Sequence, residues 1–284
     1  MWVLAKCRNA ITKMQNFDRN ESLIKQDLLN ILPEWWTQLN PDKHYLVLTN
    51  DCDSLFSCVR LKTLFGLEIG GYYDFESGLW LNQEKTCYGW KTPVFVDLSV
   101  GQNQLCFDNH RTFLKNTNRV NPNVIHKSRF NEKFNFGTIA LIAALYGGVD
   151  RMNEELKTML LAVDGGFIGY YKNGGRYSNI NLYWLDKLGL TESLVPILEK
   201  RDMKYFQDFS VDRGLYDKIE INKEGYLESP TYSESVPDYQ FELVQPVQKI
   251  FTTTSGVMQR VKNQEKIIVS AETYEGKYVI NVAI

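Results

Sequence analysis

The sequence lacks several features that would place it at once. It has five cysteines in 284 residues, Cys7, Cys52, Cys58, Cys87 and Cys106, an odd set without a C-x-x-C pair. That spacing excludes a zinc site of the usual paired kind and argues against a disulfide framework in so long a chain. A reducing, cytoplasmic setting is the expectation. No apolar run approaches the ~18 residues of a membrane span; the longest, residues 137–148, is too short. No membrane partner is therefore expected. The first sixteen residues scatter Lys and Arg among apolar positions, without the basic-then-apolar order of a secretory leader, and read as a helix. Charge of one sign is also missing: 32 Lys and Arg against 34 Asp and Glu leave −2. A chain that grips long duplex through its phosphates normally presents a basic face. A local basic groove stays open.

What is present is ordinary in bulk. Hydrophobic residues make up 44% and charged residues 23%, the balance of a folded chain with room for one large or two modest domains. Aromatic residues are abundant at 13%. Neither repeats nor low-complexity tracts occur.

Apolar spacing over 21–40 predicts a helix, bent at Pro33. HYLVLTN (44–50) predicts a buried strand, and DCDSLFSCVRLKTLFG a helix stopped by Gly66. Strands are expected at 67–75, 78–82, 93–100 and 104–109. Buried helices are expected at 136–148 and at 150–163, the second with Asp150 as a possible cap. This order predicts an α/β fold, a mainly parallel sheet flanked by helices. Helical spacing fades beyond about 200, and the last twenty residues predict a hairpin turning at Glu275-Gly276. A boundary is placed near 190–210, giving an α/β domain over 1–200 and a smaller β-rich C-terminal domain over 201–284.

Four acidic features adjoin apolar segments. Asp51 and Asp53 follow the first strand directly, where open α/β sheets place ligands. Two such carboxylates repel unless neutralised, and hard oxygen donors suit Mg²⁺ or Mn²⁺. The plain alternative is that one of them caps the next helix. Asp97 emerges from Pro-Val-Phe-Val and should stand at a strand end. Asp108, Asn109, His110 and Arg111 follow a further short strand. Asp164 ends a helix, where a negative charge is unfavourable unless something else favours it.

In this order the motifs resemble the DHH phosphoesterase superfamily, a group of exonucleases, oligoribonucleases, cyclic-dinucleotide phosphodiesterases and inorganic pyrophosphatases. Asp51-Cys52-Asp53-Ser54-Leu55-Phe56-Ser57 is similar to the family's D-x-D-[GS]-x-x-[SA]. Asp97 is similar to its strand-borne aspartate, Asp108-Asn109-His110 to the D-H-H triplet with Asn in the middle, and Asp164-Gly165-Gly166 to its late aspartate. The likeness spans about residues 44–170. Two departures stand out: Val47 sits where many relatives have histidine, and the tail has no G-G-G-H run.

The resemblance implies a hydrolase carrying two Mn²⁺ or Mg²⁺ ions. It implies metal ligation by Asp51, Asp53, Asp97 (bridging) and Asp164, with Asp108 in the same set or orienting a neighbour. Asn109 would take a weakened ligand position, and His110 and Arg111 would face the phosphoryl oxygens. The implied substrate is a nucleotide, a cyclic dinucleotide or a short single-stranded nucleic-acid end. Three readings stay open: an active phosphoesterase, a weakened or inactive module that binds nucleotide or protein, and a structural fold whose aspartates are only helix caps. A homodimer or a partner protein is compatible with each.

Several further residues have plain readings beside functional ones. Arg111 could be a surface ion-pair partner, His44 simply begins its strand, and Trp35 and Trp36 read as core or interface. The loop of His126, Lys127 and Arg129 reads as solvated. YYKNGGRYSN (170–179) reads as a mobile loop in which Lys172 and Arg176 could meet a nucleotide.

Overall fold

A computed structural model of the chain describes residues 21–82, 90–124, 130–262 and 266–284. The helix expected at the N-terminus, the His126 loop, Cys7 and Cys87 lie outside the described residues.

The strands are β1 (His44–Leu48), β2 (Ile69–Asp74), β3 (Gly78–Asn82), β4 (Thr92–Val96), β5 (Leu105–Phe107), β6 (Arg119–Val120), β9 (Phe241–Thr253), β10 (Ile267–Tyr274) and β11 (Lys277–Ala283). They form one nine-stranded sheet in the order β10-β11-β9-β3-β2-β1-β4-β5-β6. A separate two-stranded ribbon joins β7 (Glu220–Ile221) to β8 (Leu227–Glu228). Strands β2, β1, β4, β5 and β6 run parallel. Strands β3, β9, β11 and β10 continue the sheet antiparallel. In β1 every residue after His44 is buried, the pattern of a strand covered on both faces.

Helices are α1 (Gln26–Leu29), α2 (Cys52–Phe65), α3 (Thr138–Tyr146), α4 (Glu154–Ala162), α5 (Ile168–Gly175), α6 (Ser178–Lys187), α7 (Thr191–Lys200), α8 (Met203–Asp212) and α9 (Thr254–Lys262). Helix α2 starts where Asp51, extended at φ −139°, accepts the Ser54 amide, and it stops at Gly66, which takes φ 73°. Its buried Leu55, Cys58, Leu61 and Phe65 share one face with the main core. Helix α3 carries no charge, and all nine of its residues are buried. Each fully buried Leu or Ile there contributes about 1.5–3 kcal/mol against exposure.

Several expectations need correction. Residues 21–40 form only the single turn α1 and a 3-10 turn at Trp35–Gln38. Their backbone is drawn to distant partners instead: the Leu23 amide bonds the Ala144 carbonyl and the Lys25 amide that of Lys187. The cap of α4 is Asn153, which accepts the Leu156 amide, and not Asp150. The expected loop at 170–179 holds part of α5, kinked at Lys172–Gly174, and the start of α6. Helical structure does not end at 200, since α8 and α9 follow.

The tail is β-rich as expected, and Tyr274 pairs Lys277 around Gly276 at φ 70°. Its strands, however, extend the common sheet through β9 on β3. The sheet then curls. The outer edge of β10 bonds back to the segments after β4 and β5: Ser270 N to Ser99 O (3.2 Å), Gly101 N to Ile268 O (3.3 Å) and Glu272 N to Arg111 O (2.7 Å). That edge is thus covered rather than open.

The strand order sets the place for a site. From β1 the chain crosses through α2 to β2 on one side, whereas β4 lies on the other side of β1. The segments leaving the carboxyl ends of β1 and β4 therefore diverge and open a crevice, the usual ligand position of such sheets.

Candidate functional site

Asp51 and Asp53 leave β1 on one side of this crevice and Asp97 leaves β4 on the other. Asp51 Oδ1 accepts the Ser54 amide at 3.0 Å, so the capping reading holds for this residue. Asp53 reaches across to a different helix. Its Oδ2 accepts the Thr138 amide at 2.6 Å and its Oδ1 the Ile139 amide at 2.9 Å, at the N-terminus of α3. Gly137 is required for this approach, because a Cβ there would lie 2.7 Å from Asp53 Oδ1 and 2.9 Å from Oδ2.

Asp97 adopts φ 58°, a conformation that few non-glycine residues hold. Its amide donates to Phe107 O (2.8 Å) and its Oδ1 accepts the Thr138 hydroxyl (2.8 Å). Asp164 also has φ 58° and stands outside helical geometry between α4 and α5. Asp164 is exposed as a residue, at the rim, while its Oδ2 turns inward to accept Asn109 Nδ2 at 2.7 Å.

These carboxylates feel one another. Burial, then the charges of Asp97, Asp164 and Asp51, raise the Asp53 pKa well above the usual carboxylate value. Burial and Asp51 raise Asp97 likewise, against the pull of His110. Loss of water raises Asp164 too, with Asp51 adding to it and His110, Lys133 and Asn109 opposing. Asp53 and Asp97 share Thr138, Asn109 holds Asp164 and His110 stands 4.0 Å from Asp97, so carboxylates from three stretches of the sequence border one end of the sheet.

Asp108 faces differently. It is fully buried; its Oδ1 accepts the His110 amide (3.0 Å) and meets His110 Nδ1 (2.9 Å), while Oδ2 accepts Asn121 Nδ2 (2.8 Å). Burial works against its charge, but the His110 hydrogen bond, with His110 and Arg119 nearby, holds its pKa below the usual value. For His110, burial opposes the charged ring, yet the bond to Asp108 and the Asp97, Asp108 and Asp164 charges raise its pKa to about 10. His110 Nδ1 lies 4.0 Å from Asp97 Oδ1, so Asp108 aims a cation at the carboxylates.

Asn109 is 5% exposed, and its amide nitrogen donates to Phe136 O (3.1 Å) and Asp164 Oδ2 (2.7 Å). Two acceptors fix which end is nitrogen. Its oxygen is left without a hydrogen-bond partner among the described residues. A buried carbonyl with no donor is uncommon and asks for a ligand or a water. A neutral amide oxygen is a hard donor of the class that Mg²⁺ or Mn²⁺ accepts. Among the described residues, no group of three or more His, Cys, Asp or Glu is arranged to hold a metal ion.

Some contributors had weak signals or none. Thr138, which holds Asp97, opens α3 and was read only as part of a helix. Asn121 and Asn123 follow β6 as the aspartates follow β1 and β4, and Asn123 Nδ2 donates to the Asn109 carbonyl (2.5 Å). Lys133 and Glu272 carried no local signal. Glu272 Oε2 pairs Arg111 Nε at 3.2 Å, so Arg111 makes the expected ion pair, but with side chains 18% and 5% exposed.

His44, Trp35 and Trp36 fall as their plain readings had it, whereas Arg176 stands between two helices rather than in a loop. His44 opens β1, Trp36 is core, and Trp35 packs on Phe107 with ring centroids 5.0 Å apart. Arg176 lies over the Tyr177 ring at 5.6 Å. No helix among the described residues is long and apolar enough to cross a membrane. No family model, curated protein or solved structure matches the chain.

Proposed function

We propose that the chain is a divalent-metal-dependent phosphoesterase acting on a nucleotide, a cyclic dinucleotide or a short single-stranded nucleic-acid end. The observation that carries the reading is the meeting of Asp51, Asp53, Asp97 and Asp164 at the switch-point crevice, with the Asn109 oxygen unsatisfied beside them. Asp51, Asp53, Asp97, Asp164 and Asn109 would hold the ions. Mn²⁺ or Mg²⁺ held there would lower the pKa of water, making a hydroxide nucleophile available near neutral pH, and would offset the developing charge.

The protein's own groups do the rest. Asp97, held by Thr138 in a strained backbone, presents a fixed oxygen between the two sides of the crevice. Asp108 orients the His110 ring, so that it faces a phosphoryl oxygen as charge grows there. Thr138 and the α3 N-terminus keep Asp53 in place when the site is empty of substrate.

A second reading has its own support. Asn109 is a neutral donor, and both Asp51 and Asp53 already serve helix N-termini. A protein so arranged could bind nucleotide without turning it over. Thermal melts with Mn²⁺, together with hydrolysis assays on mononucleotides, cyclic dinucleotides and short oligonucleotides, separate the two. Stabilisation with turnover supports the phosphoesterase, and stabilisation without turnover supports the binding module. Absence of any Mn²⁺ effect overturns both metal readings.

A further inference from the structure

Two cations beside the carboxylates keep hydrogen-bonding capacity to spare. The Arg111 guanidinium is ion-paired with Glu272, Nε to Oε2 at 3.2 Å, but none of its nitrogens makes a hydrogen bond among the described residues. The Lys133 ammonium makes no ion pair or hydrogen bond among the described residues, although the residue is half-buried. Both groups lie against one ring: the Lys133 ammonium is 4.8 Å and the Arg111 guanidinium 5.8 Å from the Phe130 centroid. An aromatic ring steadies such charges only modestly, so two half-buried cations around it are poised for an anion.

Their place is the rim. Lys133 lies near enough to Asp164, the rim carboxylate, for its charge to oppose the rise in that residue's pKa. Arg111 is pinned from the opposite side by the C-terminal hairpin, whose Glu272 amide donates to its carbonyl at 2.7 Å. Next to it opens a cavity of about 500 Å³ whose lining includes His110, Arg111, Lys115, Asn116, Arg119 and Asn121. No carboxylate is among the residues that line it. Its size admits one nucleotide unit.

We propose that Arg111 and Lys133 form a cradle for a second, non-reacting phosphate of the substrate, with the nucleotide attached to that phosphate seated in the adjacent cavity. The inference rests on the phosphoesterase reading and narrows it to substrates with a phosphate beyond the scissile one. A guanidinium fork held at its Nε offers two parallel donors to phosphate oxygens, and the ammonium adds a point charge. Glu272 is then a positioning residue. It faces away from the substrate and keeps the fork aimed.

The test is binding to the full chain in chelator, where the cradle acts without metal. A 5′-phosphorylated dinucleotide and the same dinucleotide without its 5′-phosphate are titrated by calorimetry, with inorganic pyrophosphate as a third probe. The phosphorylated form should bind at least about tenfold tighter. Lys133→Gln should erase that ratio and leave the unphosphorylated form unchanged, and Lys133→Arg should restore part of it. Circular dichroism and melts confirm that the variants fold. An unaltered ratio in Lys133→Gln, or no preference in the unsubstituted protein, overturns the cradle. Pyrophosphate binding as tightly as the phosphorylated dinucleotide overturns the nucleotide seat. Melts with Mn²⁺ on the same samples report the phosphoesterase reading separately, so the two failures are told apart.

Discussion

The parallel strands β2, β1, β4, β5 and β6 and the antiparallel strands β3, β9, β11 and β10 share one sheet but are made differently. The parallel strands are short and mostly apolar, and four of them release polar residues at their carboxyl ends: Asp51 and Asp53 after β1, Asp97 after β4, Asp108 to Arg111 after β5, and Asn121 and Asn123 after β6. Strand β9 is 13 residues long, with only Phe241 and Val247 buried and Leu243, Val244 and Phe251 exposed. One half concentrates buried charge at a crevice. The other curls round and touches that crevice through Glu272. The contrast teaches that burial on both faces fixes where a polar side chain can emerge, and a half-exposed ribbon serves as a brace.

The largest expected effect breaks the comparison at its centre. Asp97→Asn keeps the shape and tolerates the positive φ, yet removes the charge shared across the crevice. Stabilisation by saturating Mn²⁺, about 2.7 kcal/mol at a hundredfold excess over Kd, should vanish in melts. Turnover, if present, should drop by two orders of magnitude or more. Glu242→Gln on exposed β9 should change neither.

Next comes packing. Leu141→Ala in α3 should cost about 2–5 kcal/mol in chemical denaturation, because the site is fully enclosed. Phe251→Ala, 74% exposed on β9, should stay within about 0.5 kcal/mol. Equal losses would mean that the antiparallel half holds a core of its own.

A smaller effect comes from pH. In chelator, Asp53 and Asp97 have native pKa values raised above their unfolded ones, so the native state binds more protons and stability falls as pH rises. His110 has the same sign: its contribution is complete below about 6.5 and is lost as pH approaches about 10. Melting temperatures should therefore decline from pH 6.5 to 9. Saturating Mn²⁺ should flatten or reverse that slope, since the ion favours the ionised carboxylates. A chelated protein whose melting point rises over this range would contradict the convergence of charge.

The parallel half was largely legible because its signals are local. HYLVL and PVFV are apolar runs broken by aspartate, and a carboxylate at the end of a buried strand has few places to go. Gly66 and Gly276 announced their turns by needing positive φ. Elsewhere the cause lay at a distance. Residues 21–40 have helical spacing, but their amides are taken by α3 and α6 residues more than a hundred positions away. The α8 helix did carry local signals, Asp202 as its cap and apolar spacing at Met203, Phe206 and Phe209, which the expected fading of helical spacing beyond 200 passed over. Lys133 and Glu272 could not be found from spacing at all, since nothing in their flanks marks the crevice they border.

The smallest prediction asks whether the brace matters to the site. Glu272 accepts the Gly276 amide through Oε1 (2.8 Å) and holds Arg111 through Oε2, so it links the hairpin turn to the fork. Glu272→Gln keeps the turn contact and weakens the pair from a charged to a neutral one. A loosely aimed fork binds phosphate less well but leaves the carboxylates and His110 unaltered. In steady-state kinetics KM should rise about three- to tenfold with kcat unchanged, the pattern of lost uniform binding. Stability should fall by no more than about 1–2 kcal/mol, because the amide contacts along β10 remain. If kcat falls instead and KM holds, Glu272 acts on the reacting centre itself and the two halves of the sheet are not separable. If neither changes while the melting point drops, the hairpin is a brace for the fold alone and Arg111 finds its aim from Phe130.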